Sequence, residues 1–147
     1  MGVHNYMEWW GVYQSLQASV RTFRLRPECN WEPDWDEFER AVNPRTRLLY
    51  LSNPNNPSGA VLSDEAMRRI VRPCEETDTT LLADEVSLGA ELEGERMKRL
   101  WGLSAQGVVT SGLPKAYGRP SVRSGCRIVP RALAAARCTQ RAHVPAT

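Results

Sequence analysis

The sequence predicts an α/β fold, a three-layer αβα arrangement on a mainly parallel sheet. Three observations lead there: the apolar runs at 47–52, 80–86 and 107–113 are short, segments with helical spacing lie before and between them, and each run ends in polar residues. Short continuous apolar runs mark strands covered on both faces. Their alternation with helices implies parallel pairing through crossover connections.

Taken in order, "YMEWWGVYQSLQ" (6–17) predicts an amphipathic helix with Trp9, Val12, Tyr13 and Leu16 on one face. "SVRTFRL" (19–25) alternates well enough for a strand. "EPDWDEFERAVN" predicts a helix that starts at Pro33 and Asp34, carries acids in its first turn and stops at Asn43-Pro44. "RLLYLS" (47–52) is a buried strand running into an Asn/Pro loop. Ser63 caps the next helix, 64–76, whose buried stripe is Met67, Ile70 and Val71. "TLLADEV" (80–86) and "GVVTSGL" (107–113) are two further strands, and "CRIV" (126–129) is a fourth candidate. In such a sheet ligands sit beyond the C-terminal strand ends.

With 147 residues, 41% hydrophobic and 24% charged, the chain has the size and composition of one globular domain. The longest apolar runs are too short for a membrane span, and "MGVHNYMEWW" has no basic lead into an apolar segment, so a cytoplasmic protein is expected. Cysteines 29, 74, 126 and 138 form no CxxC pair, which argues against a zinc site or a disulfide framework and predicts free thiols. All seventeen acidic residues lie within 1–95, whereas 96–147 holds ten basic residues and no acid. One expectation from that split is a polyanion-binding half, with Arg96, Lys98, Arg99, Arg127, Arg131, Arg137 and Arg141 on phosphates; the absence of aromatic-basic interleaving argues against it. The stretch 130–147 is rich in Arg and Ala without a clear period, and is expected to be a disordered tail or one foreign to the rest of the domain.

Three strand ends carry chemistry. In "NPNNPSG" (53–59), Pro54 and Pro57 stiffen the loop that aims Asn53, Asn55 and Asn56. In "LLADEV", Asp84 and Glu85 point to opposite faces, so only one can look into a given pocket. Lys115, one of two lysines beside seventeen arginines, follows the third strand, with Ser111 upstream and Arg123 on a turn that can fold back. Unlike a guanidinium, an amine can shed its proton and act as a nucleophile. A lysine, an arginine with a hydroxyl, and a carboxylate match the aldehyde, phosphate and ring nitrogen of pyridoxal phosphate.

"LLYLSNPNNPSGAVLS", "LLADEV" and "VVTSGLPKAYGRPSVRSG" resemble, in the same order, the signature segments of class I/II aminotransferases, the fold-type I pyridoxal-phosphate enzymes. The resemblance covers about 6–129 and implies part of a PLP-binding large domain. It implies that Lys115 links to the cofactor aldehyde and then shuttles a proton, that Asp84 pairs with the ring nitrogen, that Asn56 donates to the ring oxygen, and that Arg123 and Ser111 hold the phosphate. The implied substrates are an amino acid and a 2-oxo acid, with no nucleic acid or membrane partner, in a homodimer; other fold-type I reactions such as lyase, decarboxylase or oxidase chemistry use the same constellation. The chain departs from the pattern at Ser87, where a tyrosine is usual, at Pro114, where a serine is usual, and at Arg119, which threatens an unpaired buried charge. Family members also carry a glycine-rich phosphate turn, an aromatic ring that stacks on the cofactor, and a small domain with a carboxylate-binding arginine. None of these is recognisable in residues 1–147, so a partial chain with little activity alone is expected.

Overall fold

A computed structural model describes residues 1–90, 97, 99–131 and 133–134. The main sheet has four strands in the order β4-β5-β6-β7: β4 (Leu48–Ser52), β5 (Thr80–Asp84), β6 (Gly107–Gly112) and β7 (Gly125–Ile128). β4, β5 and β6 are parallel, and β7 returns antiparallel to β6, with Gly112 opposite Gly125. The three apolar runs are therefore adjacent strands. The fourth candidate closes the edge, and its direction follows from the tight return at 113–124.

A second, small sheet joins β1 (Gly2–Val3), β2 (Phe23–Arg26) and β3 (Glu32–Pro33). The run expected as a strand over 19–25 thus forms only from residue 23 and lies outside the main sheet. Phe23 is 3% exposed while Arg24 and Arg26 are exposed, so this strand has one apolar face and suits a half-covered ribbon.

Helix α1 (Glu8–Ser15) is shorter than its pattern, and none of its residues is fully buried. Val12 and Leu16 of the expected stripe are 45% and 71% exposed, whereas Trp9 and Tyr13 are half-buried against Tyr50 of β4. Helix α2 (Trp35–Ala41) starts at Asp34, whose Oδ1 accepts the Glu37 N–H at 3.1 Å. Helix α3 (Asp64–Glu76) starts at Ser63, whose Oγ accepts the Ala66 N–H at 3.1 Å. Both caps satisfy amides that a helix start leaves without partners.

Alternation along the strands divides the interior. Leu49, Leu51, Leu81, Ala83 and Val109 face the core with Met67, Ile70, Val71 and Cys74 of α3, joined by Phe23 and Phe38. Burying each large apolar side chain there contributes about 1.5–3 kcal/mol. Tyr50, Ser52, Asp84 and Thr110 belong to the opposite face, toward α1. The expectation for 130–147 falls almost wholly outside the described residues, as do Lys98 and Cys138; Cys29, Cys74 and Cys126 are free thiols. Arg119 is exposed, so its charge costs no burial energy. Among the described residues no helix is long and apolar enough to cross a membrane.

Candidate active site

Parallel register brings three strand ends to one level: Ser52 pairs with Asp84, and Asp84 with Thr110. Beyond them opens a cleft of about 360 Å³. The strand ends contribute Ser52, Pro54 and Asn56, then Asp84, Val86 and Ser87, then Thr110, Ser111 and Lys115, while Tyr6, Glu8, Trp9 and Val12 form the wall on the α1 side.

The Asp84 carboxylate is held from several directions. Its Oδ1 accepts the Val86 N–H at 3.1 Å and the Thr110 hydroxyl at 3.3 Å, and its Oδ2 lies 3.5 Å from the Tyr50 hydroxyl. Burial and then the Asp84 charge push the Tyr50 pKa well above the ordinary phenol value, so Tyr50 remains a donor. Trp9 covers Tyr50 with ring centroids 5.0 Å apart. Behind it, burial raises Tyr13, whose hydroxyl is buried without a partner among the described residues, to about 12.

Glu85 points the other way, as strand alternation requires. It is 0% exposed, its Oε1 accepts the Leu100 N–H at 2.6 Å and its Oε2 has no partner among the described residues. Burial raises its pKa, against the opposing effects of the Leu100 bond and the Arg99 charge.

The three asparagines divide into two roles. Asn53 is 0% exposed, with Oδ1 accepting the Leu62 N–H at 3.0 Å, and Asn55 donates its amide to Ser58 Oγ at 2.8 Å. Both staple the loop. The Asn56 side-chain amide makes no hydrogen bond among the described residues, and Asn56 lines the cleft.

Lys115 is exposed and lines the same cleft, in a turn closed by the Gly118 N–H donating to its carbonyl at 3.0 Å. Asn56, Asp84, Ser111 and Lys115 are therefore brought together. Arg123 is not: the loop folds back, but Arg123 ends its short turn at φ 49°, exposed and without an ion pair among the described residues, and is not a lining residue. β7 begins two residues later, at Gly125.

Sequence reasoning missed the α1-side wall, Thr110 and Tyr50. It found no ring able to cover a ligand, yet Tyr6 and Trp9 stand in the cleft. Thr110 was findable, because a hydroxyl in register with Asp84 follows from pairing two parallel apolar runs. The Tyr6 hydroxyl is raised in pKa by its hydrogen bond to Glu8 first, then by burial and by the charges of Glu8 and Asp84.

Comparison with known proteins gives the geometry a family. Glutamate-pyruvate aminotransferase AlaA of Haemophilus influenzae is 32% identical over 104 residues, covering 69% of this chain and 26% of its own length. Tyrosine aminotransferase of Bos taurus is 30% identical over 114 residues, covering 76% of this chain and 26% of its own. The structure of N-succinyldiaminopimelate aminotransferase from Mycobacterium tuberculosis superposes with TM-score 0.83 at 27% identity, over 91% of this chain and 36% of that one. The chain thus spans about a quarter of the length of these curated relatives. The family model described as aminotransferase class I and II matches residues 6–144, and the chain belongs to that family.

Proposed function

We propose that the cleft binds pyridoxal 5'-phosphate and serves transfer of an amino group between an amino acid and a 2-oxo acid. One observation carries this reading: a lysine, a carboxylate, an amide and a hydroxyl from three strand ends line a single cleft. The donor set suits the cofactor, since Asp84 is a carboxylate already oriented as an acceptor by Val86, Thr110 and Tyr50. When bound, the cofactor supplies an aldehyde for amines and a ring that withdraws electrons from the substrate α-carbon.

Each residue then has a definite task. Asp84 keeps a proton on the ring nitrogen. Asn56 donates its free amide N–H to the ring oxygen. Lys115 is the amine that would hold the cofactor at its aldehyde and, when free, would move a proton between the substrate α-carbon and the neighbouring atom, which one flexible amine can do. Tyr6 and Trp9 give the cleft an aromatic side that excludes water. Ser111 donates to the phosphate, and the loop that carries Lys115 would have to bring Arg123, which is not a lining residue of the cleft, to the same phosphate.

Absorbance titration tests this. Adding pyridoxal phosphate to the purified chain should give the band of a lysine-linked cofactor, while turnover of L-glutamate or L-alanine should stay low, because the chain spans about a quarter of the length of its curated relatives. A spectrum equal to that of free cofactor, or an equal band in Lys115→Ala, contradicts the proposal.

A further inference from the structure

Ser52 closes β4, is 7% exposed, and has no task in the chemistry above. Its Oγ nevertheless joins three parts of the cleft. It lies 2.8 Å from Asn5 Oδ1 and 3.1 Å from Asn55 Oδ1, and it accepts the Asn56 N–H at 3.2 Å. A hydroxyl has one proton, so it can donate to only one of the two carbonyl oxygens at a time. Both amides are fixed with their oxygens toward Ser52: Asn5 Oδ1 also accepts the Tyr6 N–H at 2.8 Å, and Asn55 commits its nitrogen to Ser58 Oγ at 2.8 Å. The shorter distance gives the proton to Asn5, leaving a lone pair for the Asn56 N–H.

We propose that Ser52 is a positioning residue that sets the Tyr6 side of the cleft against the Asn56 side through this one hydroxyl. Among the described residues, the Ser52–Asn5 bond is the hydrogen bond that joins the segment 1–18 to the end of β4, from which the loop 53–59 leaves. Without it, Asn5 loses a donor, and the Tyr6 amide that depends on Asn5 loosens although it never touches Ser52. Calling the cleft a cofactor site rests on the proposed function, but the coupling of its two sides does not. Threonine should replace serine here, because it keeps the hydroxyl, suits a strand, and can place its methyl in an adjoining cavity of about 20 Å³ lined by Ser52, Leu51, Asn5 and Asn55.

Amide hydrogen exchange on the full chain, without cofactor, decides it. In Ser52→Ala the Tyr6 and Asn56 amides should both exchange at least ~10-fold faster. The Asn53 amide, bonded to the Asp84 carbonyl at 3.0 Å, and the Glu85 amide, bonded to that of Thr110 at 2.9 Å, should keep their rates. Ser52→Thr should restore both sites. If Ser52→Ala does not fold, Ser52→Cys, a near-isostere with a weak donor, should give the same pair of changes. Unchanged Tyr6 exchange in the folded serine-replaced chain, or loss of protection in Ser52→Thr, overturns the proposal. Cofactor titration of the same variants adds a second reading, with Ser52→Ala weakened and Ser52→Thr equal to the unsubstituted chain. A chain that binds no cofactor at all contradicts the proposed function, while the amide rates still decide the role of Ser52.

Discussion

Tyr50 and Asp84 meet beneath the cleft, the buried phenol hydroxyl 3.5 Å from the carboxylate Oδ2. Replacing Tyr50 by Phe keeps the ring under Trp9 and removes only that donor. Affinity for pyridoxal phosphate should fall roughly fivefold, matching about 1 kcal/mol for one hydrogen bond, with little change in thermal stability. The loss should be constant from about pH 6 to 9, because burial and the Asp84 charge keep the phenol protonated throughout. A cofactor titration at several pH values is the check, and an affinity equal to that of the unsubstituted chain would mean the contact does nothing.

Thr110 reaches the other oxygen of the same carboxylate at 3.3 Å. Thr110→Val preserves the shape and β-branching of the side chain, so the fold should survive while cofactor affinity drops by a similar, roughly fivefold factor. Combined with Tyr50→Phe, the two losses should not simply add, since both donors act on one carboxylate. Strict additivity in the double variant would show that the two hydroxyls act independently of Asp84.

Glu85 predicts a pH dependence of stability. Its carboxyl is raised above 4.5 in the folded chain, chiefly by burial, and ionises near 4.5 once unfolded. The neutral form is thus favoured on folding. Its contribution is complete below about pH 4.5 and is lost as the pH rises through the folded value. Glu85→Gln keeps an acceptor for the Leu100 N–H and removes the charge. It should therefore gain on the unsubstituted chain as the pH increases, by about 3 °C in Tm at neutral pH. A Tm difference between the two chains that stays flat from acid to neutral pH refutes this.

Gly112 stands where the return from β6 to β7 is tightest. An added Cβ would meet the Ser124 carbonyl oxygen at 3.1 Å and Pro114 Cδ at 3.3 Å, neither of which is the end of a flexible side chain. Gly112→Ala should force the hairpin apart at the base of the Lys115 loop and cost about 1–3 kcal/mol. Urea unfolding measures the cost, and a midpoint equal to that of the unsubstituted chain counts against so tight a return.

How much of this was legible in the sequence depended on which face a residue occupies. The runs around Leu49, Leu81 and Val109 are apolar on both sides, so their burial and parallel pairing could be foreseen, and alternation alone separated Asp84 from Glu85. Ser63 and Asp34 were legible as caps because capping is local. The wall formed by Tyr6 and Trp9 was not, since it arises from contacts across more than forty residues, such as Ser52 with Asn5, and has no period of its own. Strand β2 was legible as a strand, though only from residue 23, but a one-sided apolar alternation does not say which sheet will receive it. Arg123 takes a left-handed backbone that no pattern of side chains encodes.

The central claim is that the amine at position 115 faces a cofactor oriented by Asp84. It is tested most directly by mixing the chain with pyridoxal phosphate, reducing with borohydride, and mapping the modified peptide by mass spectrometry. A pyridoxyl group on Lys115, absent from Lys98 and greatly diminished in Asp84→Ala, is the predicted result. Equal modification of the two lysines, or none, contradicts it.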